Sequence, residues 1–191
     1  MKTPIILSCF IAVGSLLFKN NNTTTTTTVG TYKTSKARKT MASPQSPVRI
    51  VIDKSDYELH VYDAKGWYAT YPVVFGNNPL LDKKMEGDRC TPEGTFKITS
   101  KKPHNKWSRF MLLDYPNGES LAKFKERKQR GEIPKNATPG GGVGIHGTFP
   151  HEDFIIDRYK NWTLGCISLK NSDVQEIYSF IPIGTPVTIK K

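Results

Sequence analysis

The stretch from Ile145 to Leu169 holds residue types that could make a nucleophile and its base. It reads Ile145-His146-Gly147-Thr148, then a polar and aromatic connection, then Asn161-Trp162-Thr163-Leu164-Gly165-Cys166-Ile167-Ser168-Leu169. A free thiol titrates near ~8.5, so little of it is thiolate at neutral pH. An imidazole within reach can take the proton or stabilise the thiolate. Gly165, just before Cys166, lets the backbone turn sharply and approach a substrate closely. The amides of Leu164, Gly165 and Cys166 could then converge on the oxyanion of a tetrahedral intermediate. Gly147 and the run Gly140-Gly141-Gly142 keep side chains away from the approach to His146.

Each reactive residue also has a plainer reading. Cys166 sits between apolar neighbours and could be a buried core thiol. It could instead pair with Cys90 in an oxidising compartment, since of the three cysteines the other, Cys9, lies near the N-terminus. A zinc site built from Cys90, Cys166 and histidines lacks metal-ligand spacing. No metal or cofactor is expected. His146 could be a hydrogen-bonded core histidine; His60, His104 and His151 read as surface residues. A carboxylate partner for His146 is not obvious, although Glu152 and Asp157 lie in the connection. Thr163 reads as a hydroxyl that supports the loop. Trp162 could floor a groove or seal the core, and Tyr115, Phe149 and Tyr159 could line such a groove. The Gly140 to Gly144 run lacks the lysine and hydroxyl residue of a phosphate-binding loop.

The elements around this stretch must bring its two ends together. Val143 and Ile145 alternate with glycines before His146, and Ile167 and Leu169 alternate after Cys166, as on two short strands whose tips meet. Val48 to Asp53, Tyr57 to Tyr62 and Trp67 to Phe75 read as an opening β-meander. Thr95 to Thr99 and Arg109 to Tyr115 are further strands, and Pro186 to Ile189 is a last one. Glu119 to Arg130 reads as a helix with Leu121 and Phe124 on an apolar face. Lys123, Lys125, Arg127, Lys128 and Arg130 crowd its remainder, as a solvated face or a polyanion surface. A second helix is expected from about Asp173 to Phe180, capped by Asn171 or Ser172 and packed through Val174, Ile177 and Tyr178. Lys83 to Gly94 is a loop carrying charges of both signs, in which Arg89 could meet an acidic substrate group or form a structural salt bridge. The pattern implies a mainly β sandwich or barrel with two or so added helices.

Size and charge set the wider frame. The chain has 191 residues and a formal net charge of +11. About 140 residues from Val48 onward can bury a sizeable core without staples. The charge favours anionic partners, and no nucleic-acid-binding motif accompanies it. Residues 1–19 hold an apolar run suited to a signal peptide or a membrane anchor, with no clean cleavage site after it. Met41 as an alternative start would instead make the protein cytosolic. Residues 20–46 carry the threonine run Thr23 to Thr28 and a basic cluster, too polar to order themselves. The expected organisation is therefore a leader over 1–19, a disordered linker over 20–46 and a folded domain over 47–191. The protein is expected to be exported to the periplasm or cell envelope, touching the membrane only through an uncleaved leader.

The motifs resemble the L,D-transpeptidase (YkuD-like) family of bacterial cell-wall enzymes. That family carries a histidine, a spacer of about fourteen to seventeen residues, then Ser/Thr-His-Gly-Cys and an apolar residue. Here His146 is followed by 16 residues and then Thr163-Leu164-Gly165-Cys166-Ile167. Gly87-Asp88-Arg89-Cys90-Thr91-Pro92-Glu93-Gly94 resembles the family's Gly-Asp-x-x-Thr-Pro-x-Gly segment. The resemblance covers about residues 47 to 190. Two positions depart from it: Leu164 stands where the family has histidine, and Ser168 where it usually has arginine or asparagine. A branch of the family carries Thr-Leu-Gly-Cys in this way. The resemblance implies a cysteine acyltransferase that acts on peptidoglycan stem peptides without a cofactor. Cys166 would be the nucleophile, His146 the base, Gly147 its carbonyl support and Gly165 part of the turn. Thr163, Leu164, Ser168 and Arg89 would face substrate. An L,D-carboxypeptidase or other wall hydrolase is an alternative, as is a non-enzymatic wall-binding module with Cys166 oxidised to Cys90.

Overall fold

A computed structural model describes Ala37–Arg38 and residues 42–191. The leader expected over 1–19 and most of the threonine-rich segment lie outside the described residues.

The meander forms as its alternation requires. Strands β2 (Arg49–Asp53), β3 (Glu58–Asp63) and β4 (Gly66–Pro72) pair antiparallel, with Ile50, Ile52, Leu59 and Val61 buried on one face. Asp53 shapes the first turn by accepting from Ser55 N at 3.1 Å and Asp56 N at 3.2 Å. Strand β1 (Ala37–Arg38) adds to the edge of β4, through Thr70 and Ala69. These two residues lie inside the segment expected to be disordered, so ordered chain begins before Pro47. Gln45 N also donates to Asp63, and Tyr68 donates its hydroxyl to Ala42 O.

The remaining strands extend the sheet in the order β1-β4-β3-β2-β9-β5-β6-β7-β8. Strand β5 (Gly94–His104) is longer than its apolar pattern suggests. Its first half pairs with β9 (Pro186–Lys190), and its second half with β6 (Ser108–Leu113). That second half carries Ser100, Lys101, Lys102 and Pro103, so no buried alternation marks it in sequence. Strand β7 (Gly144–His146) is antiparallel to β6, and β8 (Ile167–Ser168) runs parallel to β7. Val74, just past β4, exchanges two 2.9 Å backbone bonds with Ser168. The sheet therefore curls back on itself as a half-barrel, and the strand that carries the site is held from both sides.

Three helices complete the described fold. α1 (Gly118–Gln129) starts at Asn117, whose side chain accepts from Ser120 N at 3.0 Å. The apolar face expected on it does not enter the core: α1 buries no residue, and Leu121 is exposed. Arg127 tethers it instead, by an ion pair with Asp82 at 2.6 Å and a hydrogen bond donated to Lys83 O at 2.7 Å. Much of the basic face is thus used locally, since Lys123 pairs with Glu119 and Arg130 with Glu126 and Glu132. α2 (Phe154–Asp157) was not expected; it buries Ile155 and Ile156 against Val74 within the connection between His146 and Cys166. α3 (Asn171–Phe180) packs Val174 and Ile177 against the sheet beside β6 and β7. It starts two residues earlier than expected, and its cap comes from outside. Asp153 Oδ1 accepts from Asn171 N at 2.9 Å and from the Thr148 hydroxyl. Burying each large aliphatic side chain in this core contributes roughly 1.5–3 kcal/mol. Among the described residues no helix is long and apolar enough to cross a membrane.

Candidate active site

The two strand tips meet. His146 ends β7 and lies opposite Ser168 of β8, two residues past Cys166. Both His146 and Cys166 line one cavity of about 740 Å³. Its wall includes the aromatic Trp107, Phe110 and Trp162 and the charged Lys83, Glu86 and Arg89. The glycines Gly140, Gly141 and Gly142 form an edge without side chains.

His146 is 2 % exposed, and its Nδ1 lies 2.7 Å from Gly147 O. A carbonyl oxygen only accepts, so Nδ1 carries the proton and Nε2 keeps its lone pair. The Gly147 carbonyl, rather than a carboxylate, thus holds the ring; Asp157 pairs with Lys170 instead. Ser168 donates its hydroxyl to the same carbonyl at 3.3 Å, and Gly147 N bonds Trp107 O at 3.0 Å. A Cβ on Gly147 would collide with Asn171 Oδ1 and come within 2.9 Å of Trp107 O, so only glycine fits. The imidazole stacks on Trp107 at 4.5 Å between ring centres and meets the Trp162 ring edge-on at 5.5 Å. Burial among these rings lowers its pKa from 6.5 to about 4, against the opposing pull of the Gly147 hydrogen bond. The imidazole is neutral at pH 7.

Cys166 is half-buried and its thiol is free; Cys90 is buried and also free. The Cys166 Sγ lies 3.6 Å from Gly142 O. Burial pushes this thiol up, while the Gly144 N–H and the Lys83 ammonium pull it down. Cys166 therefore rests as a thiol and His146 as a neutral imidazole. The Thr163 hydroxyl ties the loop: it donates to Cys166 O at 2.7 Å and accepts from Gly165 N at 3.2 Å. This alters the expected oxyanion site. The Gly165 amide is already committed to Thr163, which leaves the amides of Leu164 and Cys166 as candidates. Gly165 has φ +138°, and a side chain there would press on Cys90 O at 2.8 Å.

The other expected site residues divide. Leu164 is 75 % exposed at the cavity, and Arg89 also lines it. Ser168 does not face it: it is fully buried, with its hydroxyl turned to Gly147 O. Trp162 walls the cavity, whereas Phe149 packs behind it at 5.3 Å. Tyr115 is buried on Pro139 O, and Tyr159 packs on Tyr57. His104 is half-buried, stacked on Trp107 at 4.4 Å. Two cavity residues had no signal in the sequence. Trp107 sits in a polar turn, and Lys83 is one lysine among many, yet its side chain is 5 % exposed and paired with Asp88 at 3.0 Å. Among the described residues no group of three metal-ligating side chains forms.

The chain is 30% identical over 123 residues to the putative L,D-transpeptidase YqjB of Bacillus subtilis, a match covering 58% of this chain and 62% of that protein. It thus spans less than two thirds of that relative. Solved structures share the fold, two of them as follows. The helical cell shape determining protein Pgp2 of Campylobacter jejuni superposes with TM-score 0.54 at 23% identity, over 75% of this chain and 47% of Pgp2. Bd1075 of Bdellovibrio bacteriovorus gives 0.51 at 21%, over 81% and 51%. The model of the YkuD L,D-transpeptidase catalytic domain matches residues 47–189, most of the chain, and the protein belongs to that family.

Proposed function

We propose that this domain is a peptidoglycan L,D-transpeptidase that works through a thioester on Cys166. The observation that supports it most is the His146 tautomer: Nδ1 is held by Gly147 O, which leaves the lone pair on Nε2 of a ring that lines the same cavity as Cys166. As the sulfur attacks the carbonyl carbon between an L- and a D-centre of a stem peptide, Nε2 takes the thiol proton. The amides of Leu164 and Cys166 receive the oxyanion in this reading, since that of Gly165 is bonded to Thr163. The intermediate then collapses, the C–N bond breaks, and the imidazolium gives its proton to the departing amine. An imidazole of low proton affinity is a strong acid once charged, which suits that step. An amine from a second stem attacks the thioester, His146 takes its proton, and the thiol is restored. No step requires a cofactor. The substrate lies outside the membrane, so this reading also implies export to an anionic envelope, in keeping with the net charge of +11.

Incubation with disaccharide-tetrapeptide fragments tests the assignment. Cross-linked dimers are expected from the wild-type protein and none from Cys166→Ala. Shortened monomers without dimers would mean that water resolves the thioester, making the protein a carboxypeptidase. Turnover by Cys166→Ala would end the proposal. A protein whose free-thiol count shows Cys166 oxidised to Cys90 under exported conditions would favour a wall-binding module instead.

A further inference from the structure

The loop after Leu81 is built with unusual care around one side chain. Asp88 accepts from Lys84 N at 2.6 Å, from Met85 N and Cys90 N at 3.0 Å each, and from Lys83 Nζ at 3.0 Å. Asn78 reaches across to hold the next turn, donating its side-chain amide to Asp88 O at 2.8 Å and its backbone N to Arg89 O at 3.2 Å. Gly76 makes room, since a Cβ there would collide with Arg89 O. Lys54, fully buried, anchors the loop's ends through Glu93 at 2.7 Å, Leu81 O at 2.8 Å and Thr91 O at 3.3 Å. The result is that Arg89 is held at φ +56°, a left-handed conformation that a long side chain rarely adopts.

One of these contacts, Asn78 N on Arg89 O, engages the Arg89 backbone itself, the others brace the residues on either side of it, and none engages its guanidinium. Arg89, an exposed residue, lines the cavity that His146 and Cys166 also line, and its guanidinium makes no ion pair or hydrogen bond with the described residues. Most of the neighbouring cations do: Lys83 is on Asp88, Lys84 on Glu132 and Arg127 on Asp82. The one carboxylate in the cavity wall, Glu86, takes the Thr138 hydroxyl at 2.6 Å. A strained, braced backbone that presents an unpartnered fork of donors to a cavity is what recognition of a carboxylate needs. Ser168, two residues after the cysteine, offers no alternative partner, because it is buried with its hydroxyl on Gly147 O.

We infer that Arg89 is a specificity-determining residue that binds a free carboxylate of the peptide substrate close to the bond attacked by Cys166. This rests on the function proposed above and narrows the substrate to acidic peptides. The carboxylate is either the peptide's C-terminus or one on a side chain beside the scissile bond.

Three synthetic tetrapeptide stems test it: the free acid, the C-terminal amide and the side-chain amide, each with the wild-type protein, Arg89→Gln and Arg89→Lys. Wild type should lose about tenfold or more in kcat/KM on one of the two amides, and that amide identifies the carboxylate. Arg89→Gln should lose a similar factor on the free acid, through KM rather than kcat, and should treat that acid and amide alike. Arg89→Lys should recover part of the preference. Iodoacetamide labelling of Cys166 should be the same in all three proteins, which separates recognition from damage to the loop. Equal use of all three peptides by wild type would overturn the inference. So would an Arg89→Gln protein that keeps the wild-type preference, or one that falls equally on every peptide. A wild-type protein that turns over none of the peptides would instead refute the proposed reaction itself.

Discussion

The Nδ1 of His146 donates to the carbonyl of Gly147, the very next residue, at 2.7 Å. A side chain bonded to its own neighbour's carbonyl fixes ring orientation without any acidic partner. The Ser168 hydroxyl, on the same oxygen at 3.3 Å, keeps that carbonyl from turning away. Replacing Gly147 by Ala drives a methyl into Asn171 Oδ1 and the Trp107 carbonyl. The expected result is a destabilisation of about 1–3 kcal/mol in urea unfolding and a kcat loss of more than tenfold in the fraction that folds. A stable, fully active Gly147→Ala protein would show that the carbonyl does not orient the base.

Burial lowers the His146 pKa from 6.5 to about 4, so its charge state dictates a pH dependence. The unfolded chain binds this proton below about pH 6.5, and the folded chain only near pH 4. Stability from His146 is therefore complete above about pH 6.5 and is lost as pH falls to about 4, by roughly 3 kcal/mol. Chemical unfolding of wild type and His146→Gln across that window should show wild type losing more by about this amount. In kcat/KM the acid limb should fall near pH 4. A limb near 6.5 would mean that the ring is not buried as described.

Thr163 closes the loop by bonding both Gly165 N and Cys166 O. Thr163→Val keeps the shape and removes both bonds. An activity loss of ten- to a hundredfold is expected, with the Cys166 thiol still accessible to labelling, because each abandoned buried partner costs about 1–3 kcal/mol. Unchanged kcat would show that the loop is held by its packing alone.

The buried Lys83 ammonium pulls the Cys166 pKa down against the effect of burial. Lys83→Met should raise that pKa further and slow iodoacetamide labelling of Cys166 at pH 8 several-fold. Labelling at the wild-type rate would remove Lys83 from the electrostatics of the site.

Much of the site could be seen in the chain because its chemistry is local. His146 and Cys166 announce themselves by type, and the apolar alternation around them predicts two strand tips that do pair. The helix expected over Glu119 to Arg130 is α1, which runs from Gly118 to Gln129. What escaped depends on contacts between residues distant in sequence. Trp107 reaches His146 only because β6 pairs with β7, and nothing near position 107 records that. Lys83 becomes a buried cation only through Asp88 and Met85 O. The second half of β5 is polar because that part of the sheet is largely solvent-facing, and α2 is a single turn with no period to detect. The Gly165 amide was expected at the oxyanion, but a hydroxyl two residues away bonds it first.

The central claim is that Cys166 becomes acylated. Intact-mass and peptide-mapping spectrometry after exposure to a carbapenem, whose strained amide traps an acyl-enzyme, measures this directly. One adduct is expected per chain, mapped to Cys166, absent from Cys166→Ala and formed far more slowly in His146→Gln. No adduct at Cys166, or one carried by Cys90, would contradict the account.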